Sequence, residues 1–231
     1  MTSREQEVDA ATWLAETRQR QRVEAYSVRE TTSLLQQKLG RTTALQVSYL
    51  GEAGVFGEYY ESAAGICYSK ARVDERLKAP FRDLTTLAEL RELAEIGGAL
   101  ILRQRGAVPP ESTADERAFY GTHIDIFDTP SGPLHEAIDD ATRMYWPVSP
   151  RRRVQILQVI QQHGFCPLIV TVGKFCLGGR NITELTEVPG GRHGAGRIAF
   201  TVTDPGSWVA PLKHTWIDSG GGPATAWWSL Q

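Results

Sequence analysis

The chain has 231 residues, 41% of them hydrophobic and 23% charged, with a net charge of -2. That length and balance suit a folded core of ordinary size, and they leave no global basic field to attract nucleic acid or an anionic membrane surface. No apolar run approaches the ~18 residues of a membrane span, and the opening MTSREQEVDA has no apolar centre of the kind an export signal carries. Three cysteines, Cys67, Cys166 and Cys176, form neither a CxxC pair nor a zinc-ribbon spacing, so reduced thiols and a cytoplasmic protein are the expectation.

The first forty residues hold no Pro, and no Gly before Gly40. Two helices are predicted there, the first running to about Tyr26. Ser27-Val28-Arg29-Glu30 is a capping box that opens the second, and Gly40 closes it. From Thr43 the apolar period changes to two, with Leu45, Val47 and Tyr49 on one face, which predicts a half-buried strand. Gly51 and Gly54 mark a turn, and VFGEYYES reads as a returning strand. Residues 65 to 79, GICYSKARVDERLKA, fit either a strand or a helix. Thr86 and Glu89 form another capping box, and Leu87, Leu90 and Ala94 continue a helical stripe as far as Gly97-Gly98. ALILR follows as a strand.

The segment from 106 to 118 carries Pro109-Pro110 and reads as an exposed loop. THIDIF then reads as a short strand. Pro133 starts a helix that runs to about Tyr145, and Ser149-Pro150 starts another, lined by Val154, Leu157 and Ile160 and ended by Gly164. CPLIVTV is a continuous apolar run, hence a buried strand. NITELTEV, GRIAFTV, SWVAPLKHTWID and TAWWSL complete a β-rich remainder, with PGGRHGAGR as a hairpin turn. With no internal repeat and no linker, a single domain over 1–231 is expected, with 1–40 as its helical N-terminal segment. The fold class is α+β, with N-terminal helices packed on a mostly antiparallel β core.

Chemistry-bearing residues concentrate in two places. In a strand THIDIF, Ile124 and Ile126 face one way while His123 and Asp125 face the other. An imidazole and a carboxylate side by side are two of the three donors of a 2-His-1-carboxylate iron site. In GRIAFTV, Ile198, Phe200 and Val202 take one face, and Arg197 shares the other with Ala199 and Thr201, where a guanidinium can grip a carboxylate bidentately. Across about a third of its length the chain thus resembles the Fe(II)/2-oxoglutarate-dependent oxygenases, whose fold is a double-stranded β-helix, or jelly roll. The resemblance implies His123 and Asp125 as iron ligands, Arg197 and Thr201 as contacts of 2-oxoglutarate, and His193, or failing it His214, as the third ligand. The implied activity is hydroxylation of a small molecule or peptide.

A second reading uses sulfur. Cys67, placed at a helix start, would have its pKa lowered there, and His123 with Asp139 or Asp140 would complete a cysteine hydrolase, acyltransferase or deamidase. A third is a non-enzymatic binding or assembly protein that makes contacts through its charged N-terminal helices and its Trp-rich C-terminus. Arg151-Arg152-Arg153 reads as a solvated helix start, and Cys166 and Cys176 read as core thiols. Trp208, Trp216, Trp227 and Trp228 close the β core, the last two facing opposite ways.

Overall fold

The computed structural model describes residues 24–63, 65–84, 91–108, 119–128, 132–188, 196–218 and 224–229. Strand β1 (Ala25–Ser27) occupies the place where the first predicted helix was to end, and residues 1–23 lie outside the described chain. Helix α1 (Val28–Leu39) starts as expected. The Ser27 side chain accepts from the Glu30 amide, the Glu30 carboxylate accepts from the Ser27 amide at 2.8 Å, and Gly40 ends the helix at φ 73°.

The strand expected from Thr43 is instead helix α2 (Ala44–Glu52). Thr43 and Gln46 form a second capping box, and Val47, Leu50 and Gly51 are the buried positions, at helical spacing. Leu45, which the alternation had placed beside Val47, is 59% exposed. The same residues carried both periods, and the cap decided between them. Downstream, β2 (Tyr59–Ser62) does return as a strand, and the ambiguous stretch is both things in turn: strand β3 (Gly65–Ser69), then helix α3 (Lys70–Lys78). These three strands form a small antiparallel sheet in the order β1-β3-β2.

The larger sheet is built on β5 (Ala99–Gln104), β7 (Cys166–Val172) and β8 (Phe175–Val188). Every residue of β7 is buried, as its unbroken apolar run predicted. β7 lies parallel to β5, so the chain between them must cross over. That crossover carries α5 (Asp125–Asp128), α6 (Pro133–Arg143), the short strand β6 (Trp146–Pro147) and α7 (Pro150–His163), capped by Ser149. The two later helices start at the predicted prolines. Helix α4 (Arg91–Ile96) is the described end of the helix expected from Thr86, since residues 85–90 lie outside the described chain.

Gly173, at φ 58°, turns β7 tightly back into β8. The first half of β8 pairs with β7 and the second half pairs with β9 (Arg197–Thr203), which in turn holds β6. The sheet is completed by β11 (Thr225–Trp228) against β5, and by β10 (Trp216–Ile217) between β8 and β4 (Phe81–Arg82). The architecture is α+β with mostly antiparallel pairing. SWVAPLKHTWID is mostly not strand: a 3-10 turn, Ser207–Val209, and further turns carry the chain to β10. Trp228 is buried and donates to the Leu84 carbonyl at 3.0 Å, while Trp227 lies on the other face against Gly98. Trp208 and Trp216 are fully buried, as core-closing residues should be. Among the described residues no helix is long and apolar enough to cross a membrane.

Candidate functional site: a crevice beside Arg180

His123 and Asp125 are not on a strand. The chain from 119 to 124 makes only isolated bridges, and Asp125 opens the single helical turn α5. Ile124 and Ile126 are both buried, so the apolar half of the expectation survives in a different backbone. A turn here needs its free amides answered, and His123 Nδ1 accepts from the Asp125 amide at 3.3 Å, as a capping side chain does. The same nitrogen lies 3.3 Å from Asp125 Oδ2. Its other face rests on Gly54, where a Cβ would stand 2.3 Å from Nε2.

The structure brings His123 and Asp125 together but does not gather the rest of the predicted oxygenase set around them. Arg197 pairs with Val188 at one end of the β8–β9 ladder, whereas Asn181 and Thr203 pair at the other, next to Arg180. Six residues of strand, about 20 Å, separate those ends. Thr201 sits on the exposed face of β9 with Glu184 opposite, its hydroxyl 3.5 Å from the carboxylate. His193 lies outside the described residues. His214 faces Asp128 instead, its Nε2 3.2 Å from Oδ1. Among the described residues no three His, Cys, Asp or Glu side chains are grouped to hold a metal ion.

The sulfur reading meets a similar outcome. Cys67 lies within β3, not at a helix start, and its Sγ neighbours are Ser62 Oγ at 3.5 Å and the Gly65 carbonyl at 3.7 Å. Asp139 pairs with Arg180 at 3.5 Å, and Asp140 with Arg143. Neither carboxylate orients His123.

What the fold does assemble lies on the far side of α5. Arg180 ends the apolar start of β8, and only 8% of its side chain is exposed. Its Nη2 donates to the Ile126 carbonyl at 3.0 Å, an oxygen that His135 Nε2 also meets at 2.9 Å. The guanidinium stacks over Phe127, with its carbon 5.1 Å from the ring centroid. Asp139 supplies counter-charge without hydrogen-bond alignment, since its Oδ1 is buried and has no hydrogen-bond partner. Lys213 donates to the Phe127 carbonyl at 2.7 Å and pairs with Asp128 Oδ1, also at 2.7 Å. Short α5 is thus held by three cationic or imidazole side chains, from β8, from α6 and from the turn before β10.

Between these groups lies a crevice of about 230 Å³, lined by Phe127, Gly178, Gly179, Arg180, Asp204 and Lys213 among others. The paired glycines let Phe127 and Trp208 pack directly on β8 beside it. A Cβ on Gly178 would strike the Phe127 ring at 2.8 Å, and one on Gly179 would strike Trp208 at 2.5 Å and the Leu168 carbonyl oxygen at 2.7 Å. His214 borders this region in a left-handed backbone conformation, φ 58°, which costs a non-glycine residue about 1 kcal/mol and collects at functional positions. Burial lowers its pKa from the ordinary histidine range, with Arg76 and Lys213 acting in the same direction and Asp128 opposing them. Its Nε2 is near Asp128 but not aligned for a hydrogen bond.

Sequence reasoning missed Arg180, Lys213, Asp128 and His135. One signal was available: FCLGGR is an apolar strand that ends in two glycines and an arginine, an expensive residue to place next to a core. Comparison of the chain with family models, with curated proteins and with solved structures gives no match.

Proposed function

We propose that the protein binds a small carboxylate-bearing molecule in the crevice beside Arg180. The observation that carries this reading is the guanidinium itself. It is almost wholly buried and held on Nη2 by a carbonyl, yet among the described residues the carboxylate on its Nη1 side is Asp204 at 4.0 Å, beyond hydrogen-bond range. Arginine presents a planar fork that matches a carboxylate, and burial strengthens such a contact. Lys213 supplies a second cation on the same wall, and Phe127, Pro205 and Val209 supply apolar surface. At about 230 Å³ the crevice is smaller than the 300–1,000 Å³ typical of sites for drug-sized ligands, which favours a compact acid.

The test is an amide NMR titration with succinate. Saturable shifts at Gly178, Gly179 and the Trp208 indole, weakened in Lys213→Met, are expected. Saturating succinate that leaves these signals unmoved would sink the reading.

Metal-dependent oxygenase chemistry is the second reading, and one distance favours it. Two ligands in neighbouring positions about 2.1 Å from one ion stand about 3 Å apart, and His123 Nδ1 and Asp125 Oδ2 are separated by 3.3 Å. A third donor would have to come from residues such as His193, and the ion would have to displace the Asp125 amide from Nδ1. In this reading the crevice at Phe127, two residues beyond Asp125, is the place for 2-oxoglutarate rather than Arg197. An anaerobic Fe(II) and 2-oxoglutarate titration reports on it through the visible charge-transfer band. A band present in the wild type and absent in His123→Ala supports the reading, and no band in the wild type ends it.

A further inference from the structure

The geometry points to Asp204 as a built-in competitor for the carboxylate position on Arg180, one that sets which anions the crevice accepts. The inference rests on the binding reading above and adds the residue that determines its selectivity. Three observations carry it.

First, Asp204 lines the crevice, and its carboxylate approaches Nη1, the side of the guanidinium that Ile126 leaves free, at 4.0 Å. It therefore lies beside the position an incoming carboxylate would take. Second, its backbone is pinned while its side chain is loose. The Asp204 carbonyl accepts from Asn181 Nδ2 at 3.0 Å, Asn181 Oδ1 accepts in turn from the Trp208 indole at 2.9 Å, and Pro205 fixes the next φ. The Asp204 side chain is nonetheless 92% exposed. Third, the two other carboxylates of the cluster are committed to inner partners, Asp139 to Arg180 and Asp128 to Lys213 and His214. Asp204 is the carboxylate among these three placed to swing away without unpairing a buried cation.

A solvated ion pair of this kind is weak, so a ligand carboxylate that makes a close two-point contact with Arg180 displaces it. The displaced carboxylate then stands beside the bound anion and repels it, most strongly when the ligand carries two charges. Occupation and repulsion both raise the affinity threshold, and both vanish if the charge is removed.

The experiment compares acetate and succinate binding to the full chain in wild type, Asp204→Asn and Asp204→Glu, by calorimetry at low and high salt. Asp204→Asn keeps the side-chain size and is expected to bind succinate roughly three- to tenfold tighter at low salt, with a smaller gain for acetate. The gain shrinks as salt screens the repulsion, and Asp204→Glu stays near wild type. If wild type binds succinate and Asp204→Asn binds it equally or more weakly, the Asp204 inference is overturned while the binding reading stands. If neither protein binds either acid, both fail together.

Discussion

Gly179→Ala is the substitution that most directly tests how the crevice wall is built. The added methyl would meet Trp208 Cη2 at 2.5 Å, the Leu168 carbonyl oxygen at 2.7 Å and Val209 Cγ2 at 3.2 Å. Leu168 belongs to β7, which is paired on one side with β5 and on the other with β8, so its carbonyl has nowhere to go. Trp208 must therefore yield. It is fully buried and holds Asn181 through its indole, so its movement also loosens the lip that carries Asp204. Overpacking of a dense core costs about 1–3 kcal/mol, and a backbone obstacle puts this site at the upper end. At about 2–4 °C per kcal/mol for a chain of this size, Tm should fall by roughly 6–12 °C. Gly178→Ala is the control. The three atoms nearest its methyl all belong to the Phe127 side chain, at 2.8–3.0 Å, with no backbone atom among them. About 1 kcal/mol is expected there. The assay is urea unfolding followed by tryptophan fluorescence, where Gly179→Ala should also red-shift the folded spectrum. Equal midpoints for Gly179→Ala and wild type, or a larger loss in Gly178→Ala, would refute the reasoning.

Two further outcomes are expected. The fold lowers the pKa of His214 chiefly by burying it, so the unfolded chain binds more protons, and stability falls as pH drops from about 6.5 towards the folded value. Urea midpoints between pH 8 and pH 5 should slope less in His214→Asn, a residue that tolerates the left-handed backbone, and identical slopes would count against this assignment. Burial pushes the thiols of Cys166 and Cys176 up to about 12, whereas Cys67 is part-exposed on β3. Iodoacetamide on the folded protein at pH 8 should modify Cys67 alone, as read by mass spectrometry, and modification of either core thiol would show that β7 and β8 open readily.

Where one local rule acted alone, the sequence was enough. Ser27 with Glu30, Pro133, Ser149-Pro150 and Gly164 each satisfy or block specific backbone groups within a few residues, and the helices begin or end at them. The unbroken apolar run of β7 predicted a buried strand, and it is one. The alternation in β9 likewise held, with Ile198 and Phe200 buried. Residues 43–49 were read as a strand because Leu45, Val47 and Tyr49 satisfy a period of two, but Val47 and Leu50 also satisfy a helix, which the Thr43–Gln46 capping box opens. Only packing says which side chain is left in water, and it was Leu45.

The candidate site belongs to the tertiary structure. Phe127, Arg180 and the segment that carries Asp204 and Lys213 lie tens of residues apart, and no periodicity links them. They meet because β8 follows β7 back across the sheet while the β5–β7 crossover lays α5 over the glycines of β8. The sequence by itself determined the class of fold, the helix ends and the buried strand, since those depend on hydrogen bonds and apolar faces within a few residues. The turn at His123, the placing of Arg197 at the far end of the ladder from Arg180 and the crevice beside Arg180 were decided only when the chain closed on itself, because each depends on which distant backbone comes close.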